Sequence, residues 1–270
     1  MRTKLALLAT LVASLLAVTP ASAVQYGEPD VNNEYPWVGL MVAYDEDGTP
    51  LWRCSGSLLS RDLFLTAAHC VEEPAAQIAI WFDYDVTAAT HPRYPDPKDA
   101  DAIGDPYTHP NWTGALTVPQ TSDVGVVEIT RWQDRSAIPG EFGQLAPVGY
   151  LDKLATSRGT QDVTFTVVGY GLQLVKPRQS SERIRHIGTV HLVNLRSALT
   201  DGWNLHYSSN PGEGHGGSGG TCFGDSGGPV IHDGYIVGVN SFVLNLNCKG
   251  SAFAYRVDTA YAQEFISSHA

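Results

Sequence analysis

Along most of this chain the apolar residues come in short runs broken by turn residues, a pattern that predicts many brief strands. Trp37 to Tyr44 is one such run. Asp45-Glu46-Asp47-Gly48 ends it with a hairpin signal, and Leu51 to Cys54 returns. Ser57 to Leu59, Phe64 to Ala67 and Ile78 to Phe82 read as further strands. His91 to Pro97 then carries three prolines and leads into acidic residues, so a surface excursion is predicted there. Asp123 to Thr130, rich in β-branched residues, is strand-like again.

A second set of strands follows a loop-like passage around Leu151 to Gln161. It comprises Asp162 to Val168, Gly188 to Leu192, Pro229 to Ile231, Tyr235 to Phe242 and Ala252 to Val257, with Asp233-Gly234 as a tight turn. Asn210 to Gly220 is glycine-rich and reads as a flexible or ligand-facing loop. Helical spacing is confined to the tail, where Asp258 is the predicted cap of an amphipathic run through Ile266, with Ala260, Tyr261 and Phe265 at helical spacing. The pattern as a whole predicts an all-β chain, either barrel or sandwich.

The first 23 residues read differently. Arg2 and Lys4, the apolar stretch Leu5 to Val18 and Ala21-Ser22-Ala23 have the layout of a secretory signal peptide with its cleavage site. The apolar run is too short for a transmembrane anchor. Cleavage after Ala23 leaves 247 of the 270 residues, with 15 basic against 28 acidic side chains and a net charge of −13. Such an acidic surface argues against nucleic-acid and anionic-membrane partners. In an exported chain, four cysteines read as two disulfides.

The candidate chemistry sits in Cys222-Phe223-Gly224-Asp225-Ser226-Gly227-Gly228-Pro229. Glycines on both sides let a tight turn present Ser226 and aim free backbone N–H groups beside it, as an acyl-transfer nucleophile and its oxyanion donors require. A bare glycine-rich turn would look the same. The stretch Leu65-Thr66-Ala67-Ala68-His69-Cys70 decides between them by supplying a base, since a serine hydroxyl is a feeble nucleophile without one. Asp123 stands alone before Val124, Val126, Val127 and Ile129, where an unpaired carboxylate would cost several kcal/mol or take up a proton. Pairing with the histidine's second ring nitrogen removes that cost.

These stretches resemble those of the chymotrypsin-family (trypsin-like) serine endopeptidases. Pro36-Trp37, the His69 motif, Tyr107-Thr108-His109-Pro110-Asn111-Trp112 leading to Ser122-Asp123-Val124, Val168-Gly169-Tyr170-Gly171 and the Ser226 motif follow in the family's order. The resemblance implies two antiparallel six-stranded β-barrels, with the active site in the cleft between them and a short C-terminal helix. Residues 24–150 would form the first barrel and 151–270 the second. It also implies a triad of His69, Asp123 and Ser226, an oxyanion hole from the N–H groups of Gly224 and Ser226, and disulfides Cys54–Cys70 and Cys222–Cys248. No cofactor and no metal is implied. Asp83 and Asp85 fall where some relatives bind Ca²⁺, but two acidic side chains without a ligand loop read as a solvated edge. Partners would be polypeptide substrates and proteinaceous inhibitors, acting on a secreted monomer of bacterial type. Phe165 and His232 stand where many relatives keep another disulfide.

The resemblance carries two further expectations. Gly220 falls at the base of the primary specificity pocket, where relatives that cut after Arg or Lys carry Asp, so no preference for basic residues is expected. Ser241-Phe242-Val243 would form the pocket wall and pair with an extended substrate. Val243 and Ala252 would narrow the pocket toward Ala, Val or Leu, and Glu213 in the adjacent loop could reach inward. The second expectation is activation. The family's spacing places the activating N-terminus on Val24, whose α-ammonium would pair with Asp225, and Val24 is also the first residue after the signal peptide. Signal peptidase would then make the activating cut itself. An α/β-hydrolase esterase is disfavoured, because only His232 and His269 follow Ser226 and too little chain remains for that fold. A catalytically silent binding protein on the same scaffold is the remaining alternative.

Overall fold

In a computed structural model of the chain, residue 24 and residues 27–154, 162–173, 181–209 and 219–270 are described. The signal-peptide stretch and Glu213 lie outside them. Strand β1 is the short Glu28–Pro29. The next six are β2 (Val38–Tyr44), β3 (Pro50–Leu58), β4 (Leu63–Thr66), β5 (Gln77–Trp81), β6 (Ala102–Thr108) and β7 (Gly125–Trp132). They close into a barrel in the order β2-β3-β4-β7-β6-β5, with antiparallel neighbours. After the two-residue β8 (Gln144–Leu145) come β9 (Thr164–Gly169), β10 (His186–Asn194), β11 (Asn204–Ser208), β12 (Pro229–His232), β13 (Tyr235–Val243) and β14 (Ser251–Arg256). These last six run β10-β11-β14-β13-β12-β9 and close through β9–β10, so the second unit is also a six-stranded antiparallel barrel. Helix α1 (Ala260–Ser267) ends the chain.

The barrels explain the hydrophobic pattern. All seven residues of β2 are buried, because one face lines its own barrel and the other is covered by neighbouring chain. One apolar cluster runs from inside the first barrel (Met41, Phe64, Ile80, Val127) to Val168, Ile231 and Val239 of the second. A separate cluster of Phe165, Val167, Val190, Leu205 and Val237 fills the second barrel and takes in Val24. β1 crosses over to pair with β10, so the segment just after Val24 joins the second barrel. It is tied there by a fully buried pair, Arg185 Nε to Asp30 Oδ2 at 2.8 Å, while Arg185 Nη1 donates to Val38 O and Phe82 O.

The structure departs from the predicted elements in definite places. Leu51–Cys54 and Ser57–Leu59 merge into the continuous β3. β6 and β11 occupy stretches without a predicted strand, and a short 3₁₀ turn covers Tyr150–Leu154. Helix α1 is capped by Thr259, whose Oγ1 accepts from Ala262 N at 3.2 Å, not by Asp258. Asp258 is taken instead by Arg256, with both carboxylate oxygens 2.8 Å from guanidinium nitrogens. The cysteines pair as Cys54–Cys70 and Cys222–Cys248. Phe165 and His232 meet as packed rings with centroids 5.3 Å apart.

Candidate active site

His69 lies in the 3₁₀ turn Ala68–Cys70 that follows β4, held at its far end by the bond from Cys70 to Cys54 on β3. The two sulfurs near the imidazole are joined to each other, so they offer it no thiolate partners for a metal. Asp123 sits just before β7 and is fully buried. Its carboxylate meets His69 Nδ1 at 2.9 and 3.1 Å and accepts from the His69 backbone N–H at 3.0 Å. Ser241 on β13 donates its hydroxyl to Asp123 Oδ2 at 2.5 Å. The charge therefore has three donors in place of water.

The two ionisable groups move in opposite directions from what burial alone dictates. Burial would lower the His69 pKa, but the Asp123 charge and hydrogen bond, with Glu72 beyond, outweigh it and leave the imidazole above its usual range. Burial would raise Asp123, but the His69 charge and the hydrogen bonds from His69 and Ser241 hold its carboxyl below the ordinary value. The pair is thus poised with a negative carboxylate behind a basic ring.

Ser226 is fixed by backbone bonds from both barrels. Ser55 N of β3 donates to Ser226 O at 2.8 Å, and Gly227 N donates to Asn240 O of β13 at 2.8 Å. Ser55 Oγ also donates to Gly224 O at 2.8 Å. This packing leaves no room for a side chain at Gly227, where a Cβ would fall 2.0 Å from Thr66 Oγ1 on a backbone of φ +79°. Gly224 takes φ +97°, and neither Gly224 N nor Ser226 N donates to a backbone or side-chain group among the described residues. Ser226 and His69 line the same cavity, and among the described residues no hydrogen bond joins them. That bond commonly tightens when substrate binds.

The cavity, of about 330 Å³, is lined by Thr221, Phe223, Ser241, Phe242 and Val243 among others. Ser241, Phe242 and Val243 stand in this lining. Gly220 and Ala252 are buried behind the lining. A Cβ on Gly220 would sit 2.7 Å from Ser209 Cβ, and Ala252 pairs with Val243 and Tyr207 in the sheet. Sequence reasoning missed Tyr207, which is buried outside the lining and holds two residues of it, its hydroxyl bonding Thr221 Oγ1 and Asn240 Oδ1, each at 2.8 Å. It also missed the exposed Leu116, Phe223 and Leu246 that stand in the cavity lining. No carboxylate lines the cavity among the described residues.

Asp225 points away from the cavity and is fully buried. It accepts from Gly171 N at 2.8 Å and Cys222 N at 2.9 Å. Burial pushes its pKa up to about 7 against the pull of these two N–H groups and of Arg53. Asp83 and Asp85 do not converge. Asp83 pairs with His91 at 2.9 Å, whereas Asp85 accepts from Thr87 N at 2.9 Å within its own turn.

Comparison with known proteins covers nearly the whole of the chain after its first residues. The sequence profile described as Trypsin matches residues 24–266. Proproteinase E of Bos taurus is 25% identical over 235 residues, 85% of this chain and 87% of its own length. Chymotrypsin-like elastase family member 3B of Macaca mulatta is 30% identical over 127 residues, 47% of this chain, and the match spans about half (46%) of that protein. Among solved structures, HL collagenase superposes with a TM-score of 0.66 at 18% identity, covering 91% of this chain and 98% of its own, which shows the shared fold. These sequence relatives are animal proteins and give the bacterial-type reading no support.

Proposed function

The chain belongs to the trypsin family, and from that premise we propose that it is a secreted serine endopeptidase acting through His69, Asp123 and Ser226. The observation that carries this reading is the buried Asp123 carboxylate gripping His69 Nδ1 at 2.9 Å, at the wall of the cavity that Ser226 also lines. The roles are those of the family's own triad. Ser226 Oγ attacks the carbonyl carbon of the scissile bond while His69 Nε2 takes its proton. The unengaged N–H groups of Gly224 and Ser226 receive the oxyanion. His69 returns the proton to the leaving amine, and water then releases the acyl group by the same steps in reverse. Asp123 keeps the ring proton on Nδ1, so that Nε2 faces the nucleophile.

The mostly apolar cavity, without a carboxylate among its described lining residues, supports cleavage after small or medium apolar residues. Its substrates are then polypeptides presented as an added strand along Ser241–Val243. Secretion rests on the leader-like residues 1–23 and the two disulfides. The pairing of Val24 with Asp225 is part of the same proposal. It is supported by the burial of both residues and by the absence of a contacting cation at Asp225 among the described residues. Stoichiometric labelling by a fluorophosphonate probe, lost in Ser226→Ala, tests the central reading. A folded wild type that takes no label would leave a silent binding protein as the answer.

A further inference from the structure

Asp123 hangs on a short segment whose backbone is strained. The residue before it, Ser122, is buried and takes φ +52°, a left-handed conformation that a non-glycine residue keeps only when its surroundings hold it. The surroundings come from the far end of the chain. Tyr261 in the first turn of α1 brings its hydroxyl 3.4 Å from Ser122 Oγ, and Asn111 Nδ2 donates to that same hydroxyl. The Tyr261 ring stacks on His109 with centroids 4.4 Å apart and meets Trp203 edge-on at 5.3 Å. His109 in turn donates its backbone N–H to Val124 O at 3.0 Å. One side chain therefore braces the residue before Asp123 through its hydroxyl and the residue after it through its ring.

Resting on the protease reading above, we infer that Tyr261 is a positioning residue for Asp123, which makes the C-terminal helix part of the support of the active site. The carboxylate must satisfy His69 Nδ1, His69 N and Ser241 Oγ at once, two of them in the His69 turn and the third on β13 of the other barrel. A small shift of the Ser122–Asp123 backbone loosens its hold on the imidazole without touching Ser226 or the substrate cavity. Misplacement by about 1 Å can cost a hundredfold in rate, so loss of one brace is expected to cost roughly tenfold.

The test compares the purified wild type with Tyr261→Phe, Ser122→Ala and the double variant, with every rate expressed per serine titrated by the fluorophosphonate. Phe keeps the ring against His109 and Trp203, so the fold is retained while the hydroxyl contacts are lost. The expected result is a roughly tenfold lower kcat with KM within about twofold in Tyr261→Phe, and a double variant no worse than the poorer single one. The acid limb of kcat/KM moves to lower pH, because the charges facing His69 are Asp123 and Glu72 and the first has loosened its grip. An unchanged kcat and acid limb per titrated serine, or a loss confined to Tm or to the number of active sites, overturns the inference. A wild type that cannot be labelled overturns the protease reading and this inference with it.

Discussion

On the proposed pairing of Val24 with Asp225, placing one extra residue before Val24 leaves the Asp225 carboxylate buried without an ammonium partner, and the cost can be worked from its surroundings. Asp225 is fully buried, receives two backbone N–H groups and feels Arg53, yet its pKa is still pushed from 3.8 to about 7. That is about three units, at roughly 1.4 kcal/mol each, so holding the charge above pH 7 costs on the order of 4 kcal/mol. The sign follows from a carboxyl raised in the folded state. The penalty is absent below about pH 4, grows between pH 4 and 7, and is complete above it. About two of the three units fall between pH 5 and 7, which is roughly 3 kcal/mol, or about 5–10 °C in Tm for a chain of this size. Thermal melts at pH 5 and 8 on the extended and Val24-starting forms would read it. The extended form should lose that much more stability with rising pH, because other groups titrate alike in both. Active-site titration in parallel should show the extended form largely unlabelled. Equal pH slopes, together with full activity while the added residue is still in place, would refute the ion pair.

Two further outcomes follow from the site's geometry. Asp123→Asn should lower kcat by about 10⁴-fold, the loss this family's triads show for the same change. The acid limb of the wild type should lie above the 6.5 of free imidazole, because Asp123 holds His69 up, and it should fall in the variant; pH–rate profiles decide both. Val243→Gly removes a branched side chain from the cavity wall, so the ratio of cleavage after Phe to cleavage after Ala should rise roughly tenfold or more. A peptide panel giving the same ratio for both proteins would show that Val243 does not set the pocket's width.

What could be read in the chain was what depends on neighbours in sequence. β2, β5, β7 and β13 are apolar runs dense in Val, Ile or Leu, and the glycines around Ser226 announce a tight backbone whatever the rest does. β6 was hidden because Gly104, Asp105 and Pro106 look like a loop. In the barrel Gly104 is required by close packing, since a Cβ there would sit 2.4 Å from Glu128 O. β11 was hidden by Asn204, His206 and Ser208, although Leu205 and Tyr207 alternate inward. The helix start differs because Asp258, a good cap in isolation, has its carboxylate claimed by Arg256 two residues before it and by the Leu151 N–H, 107 residues away. The Asp30–Arg185 pair spans 155 residues and leaves no periodic trace at all.

The same division runs through the candidate site. The candidate side chains announce themselves locally, but groups that hold them come from the other barrel. Asp123, carried by the first barrel, is held by Ser241, 118 residues away on the second. The Ser226 loop, carried by the second, is held by Ser55 Oγ on Gly224 O across 169 residues of chain. Each barrel therefore lacks a hydrogen bond that only the other supplies, and a buried carboxylate or a tight loop missing that bond would relax away from the geometry needed. Two barrels that must dock before either half of the site is correct make catalysis conditional on the complete fold.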